Sequence, residues 1–253
     1  MSFHHARLAL AMTALAILSA CGRGDIGTGP MKTEQRPVGD FDSISVQGGT
    51  QLEIAVGKPA MVEVEGRELF VDRLVTEVRD RTLYLTSTKK DWVTIGTSPR
   101  VIVRIAVPSL AKLEVQGGND VHLTGFNGGS STLRLEGAIN LNGSGRLDAL
   151  DVFMAGAGNA DLAKLVTQSA KVTVAGVGNV TIQASDSLDA TMNGVGAIFY
   201  LGSPRQVNTH MNGLGTISQR DPNDSKSQSD PVDPDSLQPE ADSPEKATST
   251  GVI

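Results

Sequence analysis

Few residues in this chain have the type and spacing to do chemistry. Its single cysteine, Cys21, follows Leu18-Ser19-Ala20 and is the only thiol available for disulfide, metal or acyl chemistry. Sugar-polymer cleavage needs carboxylates beside an Arg or Lys base, and Asp148, Asp151, Asp161 and Lys164 offer such groups, but at dispersed positions that read as solvated loop charges. Beyond His4 and His5 near the start, only His122 and His210 remain, and neither joins a Ser-His-Asp arrangement. Gly-x-Gly stretches recur, yet no third glycine and no helical pattern follow, so a dinucleotide fingerprint is not supported. Gly117-Gly-Asn-Asp120 shares glycine and acid with calcium-binding repeats but lacks their nonapeptide spacing. Trp92 and Phe126 are candidate binding aromatics, although capping a coil is the simpler role for each. No catalytic residue, metal site or cofactor is predicted.

Cys21 has the clearest assignment. Arg7 precedes an apolar run from Leu8 to Leu18 that only Thr13 interrupts, and small residues lead into the cysteine. That order is the order of a secretory leader. The run has about half the ~20 residues needed to span a membrane. Leu18-Ser-Ala-Cys21 resembles a lipobox, which implies that residues 1–20 are removed and the Cys21 thiol is acylated. Each buried methylene contributes about 0.8 kcal/mol, so several acyl chains make attachment effectively permanent. Gly22 stands where an Asp would favour inner-membrane retention, which leans the expectation towards the outer membrane of a bacterial envelope.

The net charge of −6 is local, not global. Between Asp221 and Ile253 stand eight acids and two lysines, which account for all of it. That segment is rich in Ser, Pro and Asp, so 220–253 is predicted to be a disordered acidic tail. Residues 21–37, with Gly24, Gly27, Gly29 and Pro30, read as a flexible tether. Nothing in the remainder is basic enough to suggest nucleic acid as a partner.

The elements that must position everything else are set by a repeat. Gly117, Gly137, Gly156, Gly176, Gly194 and Gly213 are spaced by 20, 19, 20, 18 and 19 residues, each inside a stretch such as Val174-Ala-Gly-Val-Gly-Asn-Val180. A near-constant step of this size marks stacked supersecondary units. Within a unit the pattern is strand-like: Val172, Val174, Gly176, Gly178, Val180 and Ile182 share one parity, while Lys171, Thr173, Asn179 and Thr181 take the other. Glycine in the inward set suits a corner between two short strands. A right-handed parallel β-helix with repeats of about 19 residues fits best over 38–219, and a chain of antiparallel hairpins is the competing arrangement. Asp120, Asn140, Asn159 and Asn179 would then align as a ladder, read first as structural and second as a polar stripe for a sugar or cation.

Residues 38–110 are β-rich but irregular. Val46-Gln-Gly-Gly-Thr-Gln-Leu52 reads as an early, degenerate copy of the motif, and Leu69 to Leu74 as a short helical turn. Terminal repeats of a solenoid are commonly atypical, so this part is expected to open the stack. Phe41-Asp-Ser-Ile-Ser-Val46, Thr76-Glu-Val-Arg-Asp-Arg-Thr-Leu83, Val103-Arg-Ile-Ala-Val-Pro108 and the serial Gly-x-Gly rungs through Gly194-Val-Gly-Ala-Ile-Phe-Tyr-Leu-Gly202 together resemble the auto-transporter adhesin "head GIN" domain. The resemblance covers roughly 38–218 and implies a β-helical fold at a bacterial surface, with no catalytic residues to carry over. The rungs at Gly137-Ala-Ile139 and Gly117-Gly-Asn119 depart from Gly-x-Gly.

The resulting expectation is a non-catalytic, lipid-anchored envelope protein that binds a glycan or protein partner along its lateral face. A carbohydrate-active, lyase-like β-helix and an envelope-stress component acting through the acidic tail are the alternatives.

Overall fold

Strands with glycine at a fixed place close into stacked coils. The computed structural model describes residues 29–88 and 101–221. The leader, Cys21, Trp92 and nearly all of the acidic tail lie outside the described residues. Four long strands carry the repeat: β8 (Lys112–Asn127), β9 (Ser130–Met154), β10 (Ala157–Val174) and β11 (Val177–Met192). They are followed by β12 (Val195–Leu201), β13 (Gln206–Met211) and β14 (Leu214–Gln219). Every pairing among them is parallel and joins residues about one repeat apart, such as Asn159 with Asn179 and Val180 with Ile198. The result is a parallel β-solenoid of about five turns, and the hairpin alternative is excluded.

The core is a set of columns running along the stack. Register places Leu52, Val121, Leu141, Ala160, Val180 and Ile198 one above another, all buried. On the facing side Met154, Val174 and Met192 form a second such column. A coil of this size has room for small and aliphatic side chains, which explains why aromatics make up only 4% of the chain.

The irregular N-terminal part extends both faces of the stack. On one face β3 (Gln51–Val56) lies parallel to β8, then β7 (Ile102–Val107) parallel to β3. There the direction switches: β4 (Met61–Arg67) and β1 (Met31–Arg36) add antiparallel. On the other face β2 (Ser43–Gln47) joins β8 to β6 (Thr82–Ser87), and β5 (Leu74–Arg79) closes that edge antiparallel. The predicted helical turn is α1 (Glu68–Val71), with Leu74 already in β5.

One boundary needs correction. Residues 31–36 belong to the fold and not to a tether, because β1 pairs with β4 over six residues. Lys32 Nζ lies 2.6 Å from Asp72, and Arg36 donates to the Val71 carbonyl at 3.0 Å. β1 buries no large apolar side chain, so its sequence looks like linker; backbone pairing to a sheet edge is what orders it.

The corners depend on glycine for a steric reason. Val177 N–H donates to the Gly156 carbonyl at 2.9 Å, and Val195 N–H to the Gly176 carbonyl at 2.9 Å. Each bond draws the carbonyl of one rung's glycine onto the Cα of the next rung's glycine. A Cβ on Gly176 would overlap the Gly156 oxygen, and the same conflict recurs at Gly156, Gly194 and Gly213. The early copy is genuine by the same test, since a Cβ on Gly117 would strike Gly48. A second glycine column begins at Gly158, which has φ +135° as well as the close approach. In the first two rungs that column holds Asn119 and Ile139, both buried, and the positive φ sits at Gly117 and Gly137 instead. The two departures from Gly-x-Gly thus mark where the bend moves along the coil.

Gly176→Ala is expected to lower stability by at least about 3 kcal/mol, because the obstructing atom is backbone and cannot rotate away. Gly118→Ala, at an exposed corner position with open space around its Cα, should stay within about 0.5 kcal/mol. Urea melts of the two variants beside the parent check the pair; equal effects would refute the steric account.

Candidate functional site

The predicted ladder forms. Asp120, Asn140, Asn159 and Asn179 occupy successive positions of one outward column. Asn140 Nδ2 donates to Asp120 Oδ1 and Asn179 Nδ2 to Asn159 Oδ1, each at 3.2 Å. Amides bonded along the stack support the structural reading of this column. Sequence reasoning missed two related features. Asn212 donates to Asn193 at 3.0 Å, a pair that could have been found from the Asn before Gly194 and Gly213. Asn119 is buried, accepts from both the amide and the hydroxyl of Thr50, and donates to the Gly48 carbonyl. Its side chain therefore fastens the degenerate first copy to the regular stack.

The four residues considered for sugar cleavage do not converge. Asp148 accepts from the Gly129 amide at 2.8 Å and from Gln168 at 3.2 Å, which makes it a turn-forming group. Asp161 accepts from the Ala163 amide at 3.1 Å and, with Lys164, His122, Asn142 and Ser144, lines a hollow of about 200 Å³. Asp151 lies elsewhere, in a lateral groove. Phe126 is buried in the core and is no binding aromatic; His210 is exposed on β13. Among the described residues no group of three or more His, Cys, Asp or Glu could hold a metal ion.

The lateral groove is the best-formed candidate. It runs along the stack at the start of one face, with a volume of about 410 Å³. Two registered columns build it: Ala149, Ser169, Ser187 and Gln206 along the floor, and Asp151, Lys171, Asp189 and Asn208 along the wall. Ser187 Oγ donates to Ser169 Oγ at 2.9 Å, tying neighbouring rungs. Charges alternate Asp, Lys, Asp at the strand spacing of about 4.8 Å, so an extended ligand would meet acceptors and a donor in turn along the wall.

Elsewhere the outward faces carry structural charge. Arg104 contacts Glu65 at 2.6 Å, Glu63 at 3.0 Å and Glu53 at 3.2 Å, across three adjacent strands. Hydrogen bonds to Glu65 and Glu63 raise the Arg104 pKa further above its ordinary value, so it stays charged at every accessible pH. Arg134 sits 4.7 Å from the Phe153 ring and near Glu136 and Glu114.

Comparison with known proteins follows this geometry. Residues 40–204 match the family described as "Putative auto-transporter adhesin, head GIN domain", and the chain belongs to that family. No curated protein matches it. Among solved structures, a putative adhesin from Bacteroides fragilis is 24% identical, covers 76% of this chain and 97% of its own, and superposes with a TM-score of 0.58. A putative adhesin from Parabacteroides distasonis is 24% identical over 77% of this chain and 98% of its own, at TM-score 0.43. A putative lipid binding protein from the same species is 22% identical over 77% and 98%, at TM-score 0.42. At these identities the first of them supports the fold, and the fold alone.

The Arg104 cluster yields a test of sign. Its raised pKa means that the cation's stabilisation is fully present at and below neutrality and would be lost only in extreme alkali. Arg104→Ala should therefore lower Tm at neutral pH, where it leaves three carboxylates side by side, and the deficit should persist well into the alkaline range. Thermal melts from neutral to alkaline pH check it; a deficit that vanishes as the pH rises through that range would contradict it.

Proposed function

We propose that this chain is a non-catalytic envelope protein, anchored through acylated Cys21, that holds a linear glycan in the lateral groove. The groove is the observation that carries the reading. Ser169 and Ser187 on its floor and Asp151, Lys171 and Asp189 on its wall recur at strand spacing, and hydroxyl-rich polymers present equally spaced donors and acceptors. Two further points support it. The family is described by adhesion, not by catalysis. The acids and the lysine considered for cleavage do not converge on one site: Asp148 forms a turn, Asp161 and Lys164 share a hollow, and Asp151 lies in the groove. The lipobox-like Leu18–Cys21 supports the anchor, and Gly22 favours the outer membrane over the inner.

Two measurements test the parts separately. Cys21→Ser should move the protein from the membrane pellet to the soluble fraction and remove the acyl mass; unchanged membrane retention would reject the anchor. On a glycan array the full chain should retain linear acidic or neutral polysaccharides. Paired replacement Lys171→Ala and Asp189→Ala should weaken that binding at least about tenfold, as loss of two charge-assisted contacts implies. An empty array, or binding that the pair leaves intact, would reject the groove reading. Turnover of a retained polymer would reject the non-catalytic one.

A further inference from the structure

The two ends of the stack are finished in different ways. At the N-terminal end the outermost strands carry charge: Lys32, Glu34 and Arg36 on β1, and Glu77 and Arg79 on β5. Charged side chains on an edge strand are a standard protection against pairing with another chain. At the other end β13 reads QVNTHM and β14 reads LGTISQ, twelve residues without Asp, Glu, Lys, Arg or Pro. Each pairs on one side only among the described residues, β13 with β11 and β14 with β12. Both therefore present a row of backbone donors and acceptors to whatever lies beyond the last coil.

This end is also apolar. Among the described residues nothing stacks on the core columns there: Val207 follows Leu188 and is 39% exposed, and Met211 follows Met192 and is 42% exposed. Ile217 ends the column of Val180 and Ile198 and is half-buried. A ridge along the glycine corner leads to the same place. Its registered residues are Ala157, Val177, Val195 and Leu214, and the last three are 58%, 48% and 73% exposed. The largest and most exposed side chain stands at the open end.

We propose that the open coil β13–β14 docks edge to edge on the same coil of a second copy of this chain. Two features choose a copy over a different partner. An uncharged edge can lie antiparallel to itself across a two-fold axis with no like-charge pair at any register. Conversely, it offers no charge by which a strand of another protein would be selected. Docking continues the sheet through the interface, satisfies the edge amides and carbonyls, and covers Val207, Met211, Leu214 and Ile217. The N-terminal edges, with their charges, leave each copy open to pairing at one end only. The product is a closed dimer, not a fibre.

The full chain in its membrane provides the test. Single cysteines are placed in turn at Gln206, Asn208, His210 and Leu214, with Lys32→Cys at the opposite end and the unsubstituted chain as baselines. Mild oxidation should give a disulfide-linked dimer at one or more β13–β14 positions, at least tenfold above both baselines. Adding Asn208→Lys or Thr216→Lys to the cross-linking chain should return the yield to baseline; both sites are exposed, and an unchanged Tm shows that the fold survives. No cross-link above baseline would overturn the proposal. So would a cross-link that appears only after residues 222–253 are deleted, since the edge would then be covered within its own chain. A cross-linked dimer that both lysine variants leave intact would overturn it as well.

Discussion

One contact repeats through the molecule and constrains the rest. The carbonyls of Gly156, Gly176 and Gly194 each accept the amide that follows the next coil's glycine, and in doing so lie against that glycine's Cα. The hydrogen bond and the missing side chain are one requirement seen from two sides. With a Cβ in place the carbonyl would have to swing away, the bond would break, and the neighbouring strands would separate at the corner. Because the close approach of carbonyl to glycine recurs from Gly48 to Gly213, it also sets the rung spacing and the vertical alignment of every column, inside and out.

Everything with functional potential is a consequence of that alignment. A column with Ser169 and Ser187 at its middle and a column of Asp, Lys and Asp become a groove because successive residues at one coil position fall above each other. The same alignment turns turn-forming Asn into ladders and turns Val177, Val195 and Leu214 into a ridge. A solenoid has unpaired edges only at its ends, so end chemistry decides what it can join. Here the charged N-terminal edges and the uncharged C-terminal coil give the two ends opposite character.

Much of this was legible from the chain alone. Spacing of the glycines and parity of the aliphatics favoured a parallel solenoid over hairpins and pointed to the Asp120–Asn179 ladder and the copy at Gly48, because each depends on residues at a fixed period. The family assignment came from the same residues. What escaped was non-periodic. β1 is ordered by pairing with a strand some thirty residues away and by Lys32–Asp72, so glycine and proline nearby gave the wrong sign for residues 31–36. Arg104 gathers Glu53, Glu63 and Glu65 from two other strands, a grouping that no local pattern contains. The groove escaped for a related reason: its residues are twenty apart, and only a known register brings Asp151, Lys171 and Asp189 together.

The central claim is that the glycine corners are the firmest part of the stack and not loops between strands. Amide hydrogen exchange of Val177 and Val195 measures this directly, since each donates to a glycine carbonyl of the preceding coil. The account expects both amides to exchange only through global unfolding, as slowly as the buried strand positions Val172 and Val180. Exchange at the rate of an exposed loop amide such as that of Gly39 would contradict it.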